Sequence, residues 1–545
     1  MKDKEFNLLK EPWIVVLRLD GKEEKVSILS LFSRAHQFSN LAGELPAQDI
    51  AILRLLLAIL HVVFARFDLH GKETLISSPS EALKRWKEVR DNDEFPVQVI
   101  ENYLNEYKER FYLFHPEWPF YQLAGIGNST DYEAAKLNGE LSESSNKLRL
   151  FPQRSGEGKT SLTYAEAARW LLYINAFDDT SAKPKEKGRP SPGVGWLGKL
   201  GLVYVLGGNL FETLMLNLVL LQDGENKLWG EEHPTWELEK AIAEERKEIT
   251  IPDNLAQLMT LQSRRILLKR ENYGDSKEPY VVGYSLLGGD FFTKENSFAE
   301  QMTVWRYGKN QDSKIDQYMP RRHDVSKQLW RDFPSLVLQA EGKRRPGIVS
   351  WLARLKYEGL LQEQKFCLRT TGVKYGDKDF FVEDTFSDSI SMNTGLLGNS
   401  GEVWVGRIIS ELAITNQHVQ QVGELAIRIS KASGGYNDDV KNIAKEQAYF
   451  RLNSKFQVWL ENIDPENDEL DETCELWFEQ SQKVVRGLGR ELIEQAGPQA
   501  FVGREIKEKI EGKEVERRYT LPAAYNYFLA RTANRESIGG GKNYE

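Results

Sequence analysis

Cysteine and histidine are both scarce in this chain of 545 residues, and their scarcity excludes several common kinds of site. Cys367 and Cys474 are the only cysteines, so the chain has neither a disulfide framework nor a four-cysteine zinc site. The seven histidines are scattered, and no two of them stand four residues apart. A helix-borne zinc motif is therefore absent, and the sequence predicts no metal and no cofactor.

A long uninterrupted apolar run is also missing. The most apolar stretch, residues 50–67, contains Arg54, His61 and Arg66, which a membrane-spanning helix of about 20 residues rarely carries. We expect a buried helix there. The first nine residues are charged and lack the apolar segment of a secretion signal, so we expect no membrane contact and a cytoplasmic location.

Positive charge is in short supply overall. Lysine and arginine number 72 against 81 aspartates and glutamates, which gives a net charge of −9. This balance excludes a protein that coats nucleic acid with a uniformly basic surface. It does not exclude a local basic groove, because contacts with phosphates depend on the charges nearby.

Hydrophobic residues make up 41% of the chain, which is ample for a folded core. Strand and helix patterns alternate as far as about residue 395, and apolar residues at helical spacing dominate thereafter. We predict an α+β fold, with a large mixed α/β N-terminal domain over residues 1–395 and a C-terminal four-helix bundle over residues 396–545. The bundle helices are expected at 402–432, 439–462, 468–496 and 519–535.

A long loop over residues 178–201 is the least ordinary part of the chain, with three prolines and five glycines. Four of the seven residues from Lys183 to Arg189 are basic. Long loops in compact domains are often functional, and the alternative is a flexible, solvated insertion. Together with the basic residues 343–345, this loop would hold phosphates, and its glycines would allow close approach to a groove.

The motifs that would indicate catalysis are either missing or in the wrong context. No P-loop and no G-x-S-x-G sequence is present. The G-x-G-x-x-G sequence at 193–198 follows a Pro/Lys loop and precedes a strand-like run, whereas a dinucleotide fold needs a strand before it and a helix after it. His323 and Asp324 resemble the metal-binding pair of phosphohydrolases. A metal-dependent phosphohydrolase or nuclease is therefore the first alternative, and a protein-only adaptor that does not touch DNA is the second.

Several segments, taken in order, resemble the CasA family, the large subunit of the type I-E CRISPR surveillance complex Cascade. The matching segments are FNLLKEPWIVV (6–16), LFHPEWPFYQ (113–122), FPQRSG (151–156), SLTYAEAARWLL (161–172), PGVGWLGKLG (192–201), NLFETLMLNLVLL (209–221), YMPRRHDVSKQLWR (318–331) and GVKYGDKDFFVED (372–384). Together they cover most of residues 6–390.

The resemblance implies a non-catalytic, DNA-binding subunit of an RNA-guided complex. Such a subunit recognises the protospacer-adjacent motif (PAM) in double-stranded DNA, promotes duplex opening and R-loop formation, and recruits a helicase-nuclease. The implied partners are the other Cascade subunits, the CRISPR RNA, the target duplex and the helicase-nuclease. No enzymatic activity is expected of the chain itself.

The resemblance also implies site residues. The family's minor-groove loop corresponds to residues 181–188, with contacts through Ser181, Lys183, Lys185, Lys187 and Gly188, or through the later Gly193 and Gly195. The duplex-splitting hairpin tip corresponds to Asp377, Lys378 and Asp379, with Lys378 as the wedge. Lys294 is the nearest counterpart of a lysine that some relatives insert beside the PAM. The loop that docks the subunit onto the guide-RNA end corresponds to Phe151, Pro152, Gln153 and Arg154.

Overall fold

The structure is a computed structural model, and its described part covers most of the chain. It describes residues 4–139, 154, 156–181, 183–184, 193–238, 252–272, 279–290, 299–308, 317–340, 342–361, 365–398, 400–435, 439–510 and 513–535.

The chain divides into two compact units. The first comprises residues 1–327, 335–362 and 366–389, and the second comprises residues 328–334, 363–365 and 390–545. The second unit therefore begins at Ile390 and takes in a short upstream segment, whereas the sequence placed a single boundary between residues 395 and 396. The difference arises because side chains of residues 328–334 belong to the core of the second unit.

Ten helices lie in the part of the chain before residue 390 that the structure describes. Their bounds are α1 (Ile28–Arg34), α2 (Pro46–Arg66), α3 (Pro79–Asp91), α4 (Val97–Glu106), α5 (Ala134–Leu137), α6 (Tyr164–Phe177), α7 (Leu210–Asn217), α8 (Leu255–Met259), α9 (Phe333–Val337) and α10 (Gly347–Tyr357).

Helix α2 forms the centre of the first unit. It is long and apolar enough to cross a membrane by length and composition, yet 94% of its most apolar 18-residue window is buried inside the protein. Its Arg54 is paired within the fold, because the guanidinium donates to Glu300 at 2.8 and 3.0 Å. A buried guanidinium matched to a carboxylate in this way fits a core helix.

The strands form small sheets in which the order of the chain is only partly kept. Their bounds are β1 (Glu5–Asn7), β2 (Ile14–Arg18), β3 (Glu23–Val26), β4 (Phe38–Leu41), β5 (Tyr112–Phe114), β6 (Thr130–Glu133), β7 (Tyr204–Leu206), β8 (Arg264–Asn272), β9 (Pro279–Gly288), β10 (Trp305–Gly308), β11 (Gln317–Pro320), β12 (Lys365–Tyr375), β13 (Val382–Asn393), β14 (Arg504–Ile510) and β15 (Lys513–Tyr519). The sheet orders are β1-β5, β3-β2-β4, β6-β9-β8, β10-β11, β13-β12-β7 and β14-β15.

Two of these sheets position the candidate site. The hairpin of β12 and β13 projects a tip at residues 376–381, and β12 also pairs antiparallel with β7. Strand β8 pairs antiparallel with β9 and begins at two consecutive arginines, Arg264 and Arg265, whose side chains are fully buried.

The second unit contains the predicted bundle, with three long helices and a shorter one. These are α11 (Gly401–Ser433), α12 (Asp439–Glu461), α13 (Leu470–Glu494) and α15 (Leu521–Arg531). The core is aromatic: Phe456 packs edge-on against Trp477 at 5.1 Å between ring centroids, and Trp330, from the upstream segment, stacks on Phe456 at 4.8 Å. The predicted α+β fold class with a C-terminal helical region is thus confirmed.

The chain between α13 and α15 departs from the predicted pattern. A short helix, α14 (Pro498–Val502), and the β14–β15 hairpin lie there. The hairpin sequence alternates charged residues across its register, so that Glu505 faces Arg518 and Lys507 faces Glu516. Opposite charges directly across an antiparallel pair stabilise it, and this period of two is a strand signal that the helical reading passed over.

We predict that Trp330→Ala destabilises the full chain by about 3–5 kcal/mol, because it removes a fully buried indole that stacks on the bundle core. Urea unfolding followed by circular dichroism measures the loss. Phe450→Ala is the matched control, since that ring on α12 is 77% exposed and its loss changes stability by about 0.5 kcal/mol or less. Equal losses in the two variants would contradict the assignment of Trp330 to the bundle core.

Candidate nucleic-acid interface

The structure brings together two segments that lie nearly 200 residues apart and that the resemblance links to DNA. Thr180 follows the end of α6, at the start of the long loop. Its backbone N–H donates to the carbonyl oxygen of Asp379 at 2.9 Å, and its hydroxyl donates to the carbonyl oxygen of Lys378 at 2.9 Å. The beginning of the loop therefore supports the tip of the β12–β13 hairpin directly.

The hairpin tip has a strained backbone. Lys378 and Asp379 both have positive φ angles, of 52° and 61°, and residues other than glycine adopt this region at a cost of about 1–3 kcal/mol each. The contacts from Thr180 hold the strain in place. The Lys378 side chain is exposed, so the tip presents a cation on a fixed backbone.

Arg322 fastens the same tip through a side chain. Its guanidinium donates to both carboxylate oxygens of Asp379, at 2.9 and 3.0 Å, and lies 5.1 Å from the centroid of the Tyr375 ring. The Tyr375 hydroxyl in turn donates to the carbonyl oxygen of Phe177 at 2.7 Å. The stem of the hairpin is thus tied to the end of α6, while its tip is tied to Arg322.

A buried arginine joins the two described ends of the loop. The guanidinium of Arg264 donates to the Asp178 carboxylate, and to the carbonyl oxygens of Asp179 at 3.1 Å and Gly193 at 2.6 Å. The backbone N–H of Gly195 donates to the carbonyl oxygen of Asp178 at 2.9 Å. Residues 178–179 and 193–195 are therefore held as neighbours around one guanidinium.

Two lysines neutralise the carboxylates of Asp178 and Asp179, where the long loop begins. The Lys136 ammonium lies 2.6 Å from a carboxylate oxygen of Asp179, and the Lys183 ammonium lies 3.1 Å from one of Asp178. Burial alone would raise the pKa of the Asp178 carboxyl, but the charges of Arg264 and Lys183 outweigh it and hold that pKa below its ordinary value. The base of the loop is a charged network with its partners in place.

This network gives Lys183 a structural task, and the DNA contact expected of it stays a prediction. Its side chain is only 2% exposed, and its ammonium also donates to the carbonyl oxygens of Asp179 and Ser181 at 2.8 Å each. Three acceptors use the whole donor capacity of a lysine. Ser181 is half-buried, and its backbone N–H donates to the Asp179 carboxylate at 2.8 Å.

The two later glycines of the loop differ from each other. Gly193 is half-buried with a φ of +66°, a conformation that favours glycine, and a β-carbon built there would have room. Gly195 is buried, and a β-carbon there would lie 2.4 Å from the carbonyl oxygen of Ala176. Gly195 thus allows two backbones to pack together, and its expected part in DNA contact stays a prediction.

The acids of the hairpin tip also have structural tasks. Both carboxylate oxygens of Asp379 accept hydrogen bonds from Arg322, which fixes the tip, and DNA contact by Asp379 stays a prediction. The carbonyl oxygen of Asp377 accepts from the N–H of Phe380 at 3.1 Å, which closes the turn, while the Asp377 side chain is exposed. Of the three tip residues, Lys378 has the freest side chain.

Other predicted contacts lie outside the described residues. These are Lys185, Lys187, Gly188 and Lys294, and Phe151, Pro152 and Gln153 of the docking loop. Arg154 of that loop is described, and its guanidinium donates to the carboxylates of Glu44 and Glu166, the latter at 3.2 Å. Arg154 itself is therefore held by two carboxylates of the first unit.

The residues of the hydrolase alternative are engaged separately. A ring nitrogen of His323 lies 3.0 Å from the carbonyl oxygen of Leu202, and the Asp324 carboxylate accepts from the N–H and hydroxyl of Ser326 at 3.1 and 2.7 Å. Asp324 closes a turn here and does not cap a helix, because the next helical turn begins at Leu329. Within the described ranges, no group of three or more His, Cys, Asp or Glu side chains is arranged to hold a metal ion.

Sequence reasoning missed Thr180, Arg264 and Arg322. Arg322 stands in the YMPRRHD segment, in which only the histidine and aspartate that follow it were singled out as candidate site residues. Arg264 and Arg265 stand directly before the apolar residues 266–268 of their strand, which is a signal for buried ion pairing. Their partners, however, cannot be identified without the fold.

Comparison with known proteins gives matches over almost the whole chain. The sequence model of the family described as CRISPR-associated protein Cse1 matches residues 7–488. The CRISPR-associated protein CasA/Cse1 of Thermus thermophilus is 36% identical over 223 residues, a match that spans 39% of this chain and 39% of that relative's length.

Solved structures extend the similarity to the fold. The crystal structure of Thermobifida fusca Cse1 superposes with a TM-score of 0.80 and 29% identity, covering 97% of this chain and 98% of that one. A chain from a structure described as a CRISPR RNA-guided surveillance complex gives a TM-score of 0.63 with 17% identity, over 89% of this chain and 99% of that one. The second likeness, at that identity, shows the fold alone.

We predict that Arg264→Met destabilises the purified chain by about 3–5 kcal/mol, because it leaves the buried Asp178 carboxylate short of its main partner. Arg322→Met is the matched control: its ion pair with Asp379 is 39% and 33% exposed, so its loss changes stability by about 1 kcal/mol or less. Urea unfolding measures both. Adding Asp178→Asn to Arg264→Met should recover part of the loss, and a double variant no more stable than the single one would speak against this pairing.

Proposed function

Because this chain belongs to the Cse1 family, we propose that it is the large subunit of an RNA-guided surveillance complex of the type I-E Cascade class. The shared fold with a chain of a CRISPR RNA-guided surveillance complex supports this assignment. Its partners in the proposal are the other Cascade subunits and the CRISPR RNA, assembled in the cytoplasm. The loop that contains Arg154 is the proposed docking element.

Within that complex the chain recognises the PAM in double-stranded DNA and starts the opening of the duplex. One observation carries this part of the proposal: the exposed Lys378 sits on a strained tip that Thr180 and Arg322 hold from two sides. A side chain can separate stacked bases only if the backbone that carries it is held in a fixed position. A tip fixed by several hydrogen bonds meets that requirement better than a free loop.

The energetics of the proposed step are modest. In RNA-guided recognition, guide pairing reads the long sequence and the protein reads only a short motif and the duplex shape. Partial unstacking of one base step costs a few kcal/mol, which an inserted side chain offsets. Contacts in the minor groove, with its degenerate pattern, would tolerate several PAM sequences.

We propose that the chain has no catalytic activity of its own and that cleavage belongs to a helicase-nuclease that the complex recruits. The separate engagement of His323 by a backbone carbonyl and of Asp324 by Ser326 supports this reading over a metal-dependent hydrolase. A nuclease assay of the purified chain with Mg²⁺ or Mn²⁺ tests it. Cleavage that His323→Ala abolishes would overturn it.

We predict that Lys378→Gly slows the opening of a PAM-bearing duplex by the assembled complex. Glycine removes the side chain while it keeps, and relaxes, the positive φ of the tip, so the support from Thr180 survives. Fluorescence of 2-aminopurine beside the PAM reports the opening. A duplex with mismatches already opened at that step is the control, and the variant should bind it as the wild type does.

The outcomes of that experiment separate two errors. If Lys378→Gly opens the matched duplex at the wild-type rate, Lys378 is not the wedge. If the wild-type complex binds duplexes with and without a PAM equally well, PAM recognition itself is refuted.

We also predict that the isolated chain binds duplex DNA weakly and with little sequence preference, because a net charge of −9 provides little non-specific attraction. Fluorescence anisotropy at two salt concentrations measures this. Tight binding that salt does not weaken, by the isolated chain, would contradict a role that depends on the assembled complex.

A further inference from the structure

Lys199 occupies a fixed position beside the candidate interface. It ends a helical turn over Trp196–Lys199 that is anchored from two directions. The Trp196 indole donates to Glu300 at 2.9 Å, and its backbone N–H donates to the Ser263 hydroxyl at 3.1 Å. A β-carbon built on Gly193 would lie 3.8 Å from the Lys199 ammonium nitrogen, so the ammonium stands next to the open face of that glycine.

The electrostatic surroundings of Lys199 are unfavourable to its own charge. Burial lowers the pKa of the Lys199 ammonium to about 8, and the charges of Arg264 and Arg322 act in the same direction. Both arginines are already committed, to Asp178 and to Asp379 respectively. Lys199 is therefore held near two cations, and the carboxylates that neutralise them, Asp178 and Asp379, form no ion pair with Lys199.

The contrast with Lys183 shows what Lys199 lacks. Lys183 has three acceptors, one of which is a carboxylate oxygen of Asp178 at 3.1 Å. Lys199 is half-buried. No residue in the described part of the chain accepts a hydrogen bond from its ammonium or forms an ion pair with it. A partly buried cation without an anionic partner lowers the stability of the fold. Such a cation is typical of a site that binds a charged ligand.

We propose that Lys199 binds a phosphodiester of the target DNA backbone, beside Gly193 and next to the hairpin that Arg322 holds. This inference rests on the proposed function and adds a specific anchor for the duplex to it. A phosphate there would supply the missing acceptors, and its negative charge would also face Arg264 and Arg322. The absence of a side chain at Gly193 leaves room for its approach.

The same phosphodiester chemistry occurs in the guide RNA. DNA is the ligand that the position favours, because the turn that carries Lys199 packs at Gly198 against Tyr375, in the hairpin whose tip carries the proposed wedge. The experiment therefore measures assembly on guide RNA and binding of target DNA as separate arms.

The test compares Lys199→Met and Lys199→Arg with the wild type in the assembled complex. Methionine keeps the length of the side chain without its charge, and arginine keeps a charge that persists to high pH. Filter binding of a PAM-bearing duplex at pH 7 should show about tenfold weaker binding for Lys199→Met, the loss of one charge-assisted hydrogen-bonded contact. Its plot of log affinity against log salt should be shallower by about 0.9, as for one phosphate contact.

A pH profile adds a readout that a purely structural role would not change. Only the protonated amine binds a phosphate, so wild-type affinity should fall several-fold from pH 7 to pH 9 as the ammonium loses its proton. Burial raises the pKa of the neighbouring Tyr375 hydroxyl well above its ordinary value, so that hydroxyl keeps its proton in this range. Lys199→Arg, which retains the surrounding groups and a charge that persists to high pH, should therefore lose much less affinity than the wild type.

Stability supplies the folding control. Removal of an uncompensated cation should leave the melting temperature of the chain unchanged or higher, so weak DNA binding by Lys199→Met would not reflect unfolding. Wild-type affinity and pH dependence in Lys199→Met would overturn the inference. So would a lower melting temperature with unchanged binding, or a defect confined to assembly on guide RNA.

Failure of the proposed function would look different. In that case the wild-type complex would itself fail to distinguish duplexes with and without a PAM, and the Lys199 inference would fall with it. If the wild type does distinguish them and Lys199→Met behaves identically, only the inference about Lys199 fails.

Discussion

The candidate interface depends on a single buried guanidinium. Arg264 contacts the end of α6, the residue after it and the returning strand of the loop at once. Removing such a charge from water costs several kcal/mol, and only a full set of acceptors repays that cost. Arg264 has those acceptors, and the chain segments that supply them are therefore held close to its guanidinium.

The positions of the neighbouring residues follow from that constraint. With residues 178–179 and 193 held together, Thr180 stands where it reaches the hairpin tip, and the Trp196–Lys199 turn packs beneath Tyr375. Gly198 has no room for a side chain, because a β-carbon there would lie 2.1 Å from the Tyr375 hydroxyl oxygen. One buried ion pair thus organises an exposed surface formed by residues from four distant parts of the sequence.

Periodicity in the sequence accounts for most of the fold and for little of the site. Helices α2, α11, α12 and α13 were predicted to within a few residues, because long amphipathic or fully apolar patterns have few alternative readings. The β14–β15 hairpin was missed, since its strands are charged on one face and short. The family resemblance, carried by motifs along the chain, is confirmed by the match over residues 7–488.

For the site, however, a lysine bound by three acceptors and a lysine bound by none look alike in sequence. The structural task of Lys183 was therefore not foreseen, and Lys199 was passed over inside a quoted motif. Pairs such as Asp178 with Arg264 and Arg322 with Asp379 span 86 and 57 positions, and no local pattern reports them.

The support of the hairpin tip has a consequence for how the protein can diversify. Thr180 contacts only main-chain carbonyl oxygens at positions 378 and 379, and such contacts are indifferent to the side chain that projects from position 378. A single substitution at position 378 can therefore exchange the projecting side chain while the hydrogen bonds that hold the hairpin tip are kept. If position 378 carries the proposed wedge, the group that enters the duplex can change in this way while the backbone that presents it keeps its contacts.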